Sequence, residues 1–130
     1  MQSSLPKALG NGLRRVVGDD WVLTEPDRLL AYESDGLTAY RMLPGAVVLP
    51  KDTDEVSRVL RLLSEAGVTA VPRGAGTGLS GGALADGDAV VIGTARMTDM
   101  LDLDPENRLA RVQPGMINAH LTTAAEPFGL

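Results

Sequence analysis

Five glycines fall in the nine residues from Gly74 to Gly82, directly behind a run that reads as a β-strand. The stretch is Pro72-Arg73-Gly74-Ala75-Gly76-Thr77-Gly78-Leu79-Ser80-Gly81-Gly82. Glycine permits positive φ angles and lets a ligand approach the backbone closely. Successive N–H groups in such a loop can converge into an anion-binding nest. Thr77 and Ser80 add hydroxyl donors, and Arg73 adds a strong positive charge. A pyrophosphate needs this combination of short donors, little bulk and some positive charge. Arg73 either touches phosphate or braces the loop through a carboxylate; the residues leave both open.

Gly76 to Gly81 matches G-x-G-x-x-G. In a Rossmann site that motif must open into a helix whose N-terminus receives the pyrophosphate. Only Gly82 to Asp88 separate the loop from a new strand near Ala89, too few for a crossover helix. A Walker loop fails as well, because no Lys-Ser/Thr pair follows the closing glycine. A ligand-free surface turn could carry one such motif, but this run is longer, has Pro and Arg at its head, and sits at a strand end.

The flanking sequence predicts small α+β architecture. Ser3 or Ser4 can cap a first helix with Pro6 in its first turn and Leu5, Leu9, Leu13 and Val16 or Val17 at helical spacing. Thr24 is placed to cap a short helix with Pro26 in its first turn, ending near Ser34-Asp35-Gly36. Ala46 to Leu49 reads as a buried strand. Asp52 with Glu55 three positions on forms a capping box for a helix carrying Val56, Val59, Leu60 and Leu63 on one face and ending at Gly67. Val68 to Val71 is the next strand, which makes a β-α-β unit with parallel strands. Ala89 to Gly93 is another strand. Met100 to Asp104 and Leu109 to Val112 form an antiparallel hairpin turning at Pro105-Glu106-Asn107, so residues 46 to 112 are expected to build one small mixed sheet. Ile117 to Ala125 reads as a last helix, capped by Asn118, with Ile117, Leu121 and Ala124 or Ala125 in an apolar stripe. The chain then stops at Phe128-Gly129-Leu130 without a cap or tail, which reads as a truncation.

Composition narrows the function. The net charge is −5, with no basic run, so a nucleic-acid partner is not expected. No cysteine is present and His120 is the lone histidine, which leaves neither a disulfide nor a usual zinc site, nor a sulfur-linked flavin. No apolar run approaches the roughly 18 residues of a membrane span. A cytoplasmic location follows as the default.

The stretch Val71 to Ala83 closely resembles the pyrophosphate loop of the para-cresol methylhydroxylase/vanillyl-alcohol oxidase flavoprotein family, and within it the glycolate oxidase D-subunits and the D-lactate and D-2-hydroxyglutarate dehydrogenases. The flanks agree: Pro44 to Pro50 is similar to the family's opening strand, Asp54-Glu55-Val56 to the start of its crossover helix, and Asp104 to Asn107 with Val112 to Gly115 to its hairpin and following turn. The likeness covers about residues 20 to 130. It implies the first subdomain of an FAD-binding domain over residues 41–130, after an N-terminal helical segment at 1–40. A second subdomain and a substrate domain are then absent from the chain. Pro72, Arg73, Gly74, Ala75, Gly76, Thr77, Gly78, Leu79, Ser80 and Gly81 would wrap the FAD diphosphate, and Pro114 and Gly115 would line the cofactor channel.

The implied parent activity is FAD-dependent oxidation of a small 2-hydroxy acid, of glycolate or D-lactate type, to the 2-oxo acid. No catalytic residue and no metal ligand is assigned within the chain. Other oxidase subunits are conceivable partners, and the apolar stripe at 117–125 suggests self-association. Two other classes stay open: a nucleotide-binding or interaction module without redox chemistry, and a related flavoprotein acting on an aldonolactone, a cytokinin or an amino-sugar nucleotide. The remaining charged residues read as structural. His120 is a surface helical residue. Asp35, Tyr40 and Arg41 could touch the adenine side, though a structural pair explains them. Arg96 is expected to pair with Asp99 or Asp102. Asp99, Asp102 and Asp104 are expected to face solvent on one side of a strand.

Overall fold

A computed structural model describes residues 5–130, so the capping role of Ser3 or Ser4 lies outside the described residues. Three short strands carry the architecture: β2 (Ala46–Val48), β3 (Ala70–Arg73) and β4 (Val90–Gly93) run parallel in the order β2-β4-β3. Val47 and Val71 both register with Val91. A two-residue strand, β1 (Val22–Leu23), adds antiparallel to β2 at the other edge.

This order corrects the expected β-α-β pairing. The strands before and after the crossover helix are parallel but not neighbours, because β4 enters between them. The reason lies in burial. Val90 and Val91 have no exposed surface, so β4 needs cover on both faces and partners on both edges, and the centre of the sheet supplies all four. β3 contains Pro72, which has no N–H to donate, and takes the edge.

The strands alternate cleanly between two cores. Ala46, Val48, Val90 and Ile92 face one side, where α1 (Lys7–Val17) and α3 (Thr53–Glu65) cover them with Leu9, Leu13, Val17, Val59 and Leu63. Val47, Leu49 and Val91 face the other side, against Leu23, Leu29, Ala85 and Ala89. The N-terminal helical segment thus contributes to the same core as the sheet.

In α3, Asp52 caps as the sequence predicts, its Oδ1 accepting from the Glu55 N–H at 2.8 Å. The reciprocal half differs: Glu55 Oε2 accepts from the N–H of Lys51, one residue before the cap, at 2.9 Å. Leu60, placed on the inner face by spacing, is 44% exposed, while Leu62 packs against the core instead. Val59 and Leu63 keep their inward places, so the covered face shifts only at its margin, toward α1. The helix ends with the Val68 N–H on the Leu63 carbonyl and the Gly67 N–H on that of Ser64, a Schellman closure.

Three other helix starts are corrected. Pro6 stands at the N-cap of α1 rather than within its first turn. Glu25, not Thr24, precedes α2 (Pro26–Leu29), which passes into a 3₁₀ turn over Leu30–Tyr32. Asn118 is the first residue of α4 (Asn118–Ala125), and Ile117 holds the cap position without a side-chain bond. Nor is the sheet continuous: β5 (Met100–Asp104) and β6 (Leu109–Val112) pair only with each other. The Met100–Asp102 register shift puts a bulge at Leu101 and interrupts the expected alternation of acids. Asp102 is exposed. Asp104 instead ties the turn, accepting from the Asn107 amide side chain at 2.7 Å and backbone N–H at 3.1 Å. These two donors hold its carboxyl below the ordinary aspartate range.

Candidate functional site

Parallel strands that end together leave their following loops side by side. Here the glycine-rich loop after β3 meets the turn after β4, joined by the Thr94 N–H on the Arg73 carbonyl at 3.0 Å. No helix follows the loop; the chain returns through turns to β4, as the sequence predicts. A cavity of about 430 Å³ opens at this edge. Gly74 and Ala75 form one wall, Thr94, Ala95 and Thr98 the floor, and Pro114 to Asn118 the other wall. The structure thus brings Pro114 and Gly115 to the head of the loop. No lining side chain of this cavity titrates.

Gly115 is forced by close approach. Its N–H donates to the Met97 carbonyl at 2.8 Å, and a methyl group there would overlap the Thr94 carbonyl oxygen. The Thr94 hydroxyl, at the same floor, is buried without a hydrogen-bond partner. The crown of the loop is open: Thr77, Gly78, Leu79 and Ser80 are exposed, Leu79 by 73%. Among the described residues, no acceptor takes a hydrogen bond from any backbone N–H between Gly74 and Ser80. Seven consecutive donors are therefore available to a ligand.

Arg73 lies beneath. Its residue is only 8% exposed, and its Nη1 is buried with no acceptor. Its Cζ lies 5.4 Å from the centre of the Tyr32 ring. Of the two roles left open for it, the carboxylate brace is not the one found: no described carboxylate stands within ion-pair distance. Gly76 arches over the guanidinium with φ +72°, and a methyl there would lie 2.6 Å from Cζ. Pro72 points elsewhere, into a shallow apolar depression with Val56, Leu60, Met97 and Pro114.

Charged neighbours resolve into scaffolding. Arg96 does not pair with Asp99 or Asp102. Its guanidinium stacks 4.0 Å over the Trp21 ring and donates to the Leu49 carbonyl at 2.7 Å, with Glu55 Oε2 at 4.0 Å. It thereby ties the floor of the cavity to the end of β2. Arg41 pairs with Glu33 at 2.7 Å, Tyr40 is 62% exposed, and His120 is exposed on α4. Among the described residues no acid or histidine cluster could hold a metal ion.

Sequence reasoning missed Thr94, Ala95, Thr98 and the Met116 to Asn118 wall. The available signal was the parallel pairing itself, since ligands gather at the carboxyl ends of parallel strands. It also missed Tyr32 and Gly36 behind the loop, for which no local signal existed.

At this parallel-strand edge, backbone N–H groups without an acceptor among the described residues lie near a buried arginine, a donor set that suits an anion. The family model described as FAD binding domain matches residues 44–130, and the chain belongs to that family; its cofactor is FAD. Among curated relatives, glycolate oxidase subunit GlcD of Escherichia coli (strain K12) is 44% identical over 109 residues, covering 84% of this chain and 22% of that protein. D-2-hydroxyglutarate dehydrogenase of Stutzerimonas stutzeri (strain A1501) is 36% identical over 123 residues, covering 95% and 26%. The chain thus spans about a quarter of the length of these relatives. The crystal structure of p-cresol methylhydroxylase superposes over the whole chain and 27% of its own with a TM-score of 0.78, at 19% identity, which shows a shared fold. Among the described residues no helix is long and apolar enough to cross a membrane.

Proposed function

We propose that this chain is the diphosphate-holding part of the FAD site in an oxidoreductase that converts a small 2-hydroxy acid, of glycolate or D-lactate type, to the 2-oxo acid. One observation carries the reading: among the described residues, the seven consecutive N–H donors of Gly74 to Ser80 have no acceptor, and the buried Arg73 guanidinium beneath Gly76 has no carboxylate within ion-pair distance. A diphosphate answers both. Its oxygens accept from several donors at once, and its charge compensates Arg73.

Gly74 to Gly81 would wrap the diphosphate, with Arg73 beneath them and Pro72 turned away into the apolar depression. Pro114 and Gly115 would line the path of the remaining cofactor, with Thr94 offering its hydroxyl from the floor. When bound, FAD supplies a ring that accepts hydride from the substrate carbon. The chain's own residues would bind and orient the cofactor. Residues 41–130 are read as the first FAD-holding subdomain, led in by 1–40. The second subdomain, the substrate pocket and any oxidase partner subunit would belong to other parts of the assembly. Cytoplasmic residence and self-association through α4 belong to the same proposal. The similarity to a glycolate oxidase subunit and to a D-2-hydroxyglutarate dehydrogenase supports the substrate class.

Adding FAD to the ¹⁵N-labelled chain tests the site. Backbone amides of Gly74 to Ser80 are expected to shift most, with an affinity weaker than micromolar, because a half-site buries only part of the ligand. Saturating FAD that leaves those amides unmoved overturns the proposal.

A further inference from the structure

The glycine-rich loop is gripped from behind by a segment far from it in sequence. Tyr32, at the end of the 3₁₀ turn, presents its ring to the Arg73 guanidinium at 5.4 Å. Three residues on, Asp35 is 5% exposed and its Oδ1 accepts from the Leu37 N–H at 2.8 Å, closing a bend. The bend sets Gly36 against the loop. A methyl on Gly36 would stand 2.6 Å from the Thr77 carbonyl oxygen and 2.8 Å from that of Gly78.

Both contacts bear on the ligand-facing side. In a trans peptide the N–H points opposite to the C=O. With the Thr77 and Gly78 carbonyls turned back onto Gly36, the N–H groups of Gly78 and Leu79 point forward, toward the open crown. Any side chain at position 36 would push those carbonyls away and rotate the two donors. Arg73, meanwhile, is a cation with little exposure, no described carboxylate within ion-pair distance and an Nη1 without an acceptor. Burying such a charge is costly unless something compensates it. The negative face of an aromatic ring does so in part and fixes the guanidinium plane. Gly76, directly above, leaves only backbone between that charge and the crown.

We infer that Tyr32 and Gly36 are positioning residues of the phosphate loop: Tyr32 holds the Arg73 charge beneath it, and Gly36 turns the Gly78 and Leu79 donors outward. This rests on reading the loop as a diphosphate holder.

Three variants of the chain, Tyr32→Phe, Tyr32→Leu and Gly36→Ala, test the inference, first without ligand and then with FAD. In the free protein the Arg73 Nε–H resonance is expected to carry a ring-current shift that Tyr32→Leu removes and Tyr32→Phe keeps. Gly36→Ala is expected to move the Gly78 and Leu79 amides while leaving the β4 amides in place. With FAD, Tyr32→Leu is expected to weaken binding by about threefold to thirtyfold, the range of a partly desolvated cation–π contact, and Tyr32→Phe to restore it. Absence of the ring-current shift, or wild-type affinity in both Tyr32→Leu and Gly36→Ala, overturns the inference even where FAD binds the loop. Loss of affinity in Tyr32→Phe equal to that in Tyr32→Leu overturns the role of the ring. Failure of FAD to move the wild-type loop amides sinks the underlying reading instead, and the free-protein spectra still decide the contacts.

Discussion

Gly76 and Gly78 stand two residues apart and answer to different constraints. Gly76 has φ +72° and arches over the Arg73 guanidinium, so a side chain there meets both backbone strain and a steric clash. Gly78 has no positive φ and nothing within 4 Å of where its methyl would stand. From sequence the two look interchangeable, since both sit in the same G-x-G. The structure separates them: Gly76 is required by the protein's own packing, and Gly78 is not, which under the proposed function leaves the approach of the diphosphate as its constraint. Gly76→Val is therefore expected to lower stability by about 1–3 kcal/mol and to lose FAD. Gly78→Val is expected to lose FAD with an unchanged unfolding midpoint. Thermal unfolding and flavin titration of the two variants check this; equal midpoints for both, or retained FAD in Gly78→Val, would contradict it.

At the level of elements, α3 shows how far local pattern reaches. Its start is written in Asp52 and Glu55, because a cap is a contact between near neighbours in the chain. Asp52→Ala is expected to cost about 0.5–2 kcal/mol, read as a lower denaturant midpoint at constant m-value. An unchanged midpoint would mean that the Glu55–Lys51 contact alone holds the turn. Which face of α3 is covered was not written locally. Spacing put Leu60 inside, but α1 packs against the helix from the side and draws in Leu62 instead. Likewise the bulge at Leu101 interrupts the run of alternating acids, because hairpin register is set by the Asp104–Asn107 turn and the partner strand together.

For the whole molecule, the partly covered helix α4 bears on association: Leu121, Ala124 and Ala125 are half-buried and its other residues exposed. No residue of α4 is buried; Ile117 is 55% exposed and Phe128 57%. An apolar stripe of this kind tends to find a partner. The chain is expected to self-associate at high concentration. Sedimentation across a concentration series checks this, and a mass fixed at 13.6 kDa throughout would rule it out.

The residues alone determined the loop, the parallel strands, the capped helix and the hairpin. Each depends on contacts within a few positions or on a period of burial that one strand displays by itself. The resemblance of Val71 to Ala83 to a flavoprotein loop carried the cofactor. Tertiary structure decided the insertion of β4 between β2 and β3, the meeting of Gly74 with Gly115, and the seating of Arg73 on Tyr32 beneath Gly76. Those pairings join residues 20 to 44 apart in the chain, and no local pattern encodes them. They form because two-sided burial sends β4 to the centre of the sheet, and with its position settled every loop at the carboxyl edge has its neighbours chosen for it.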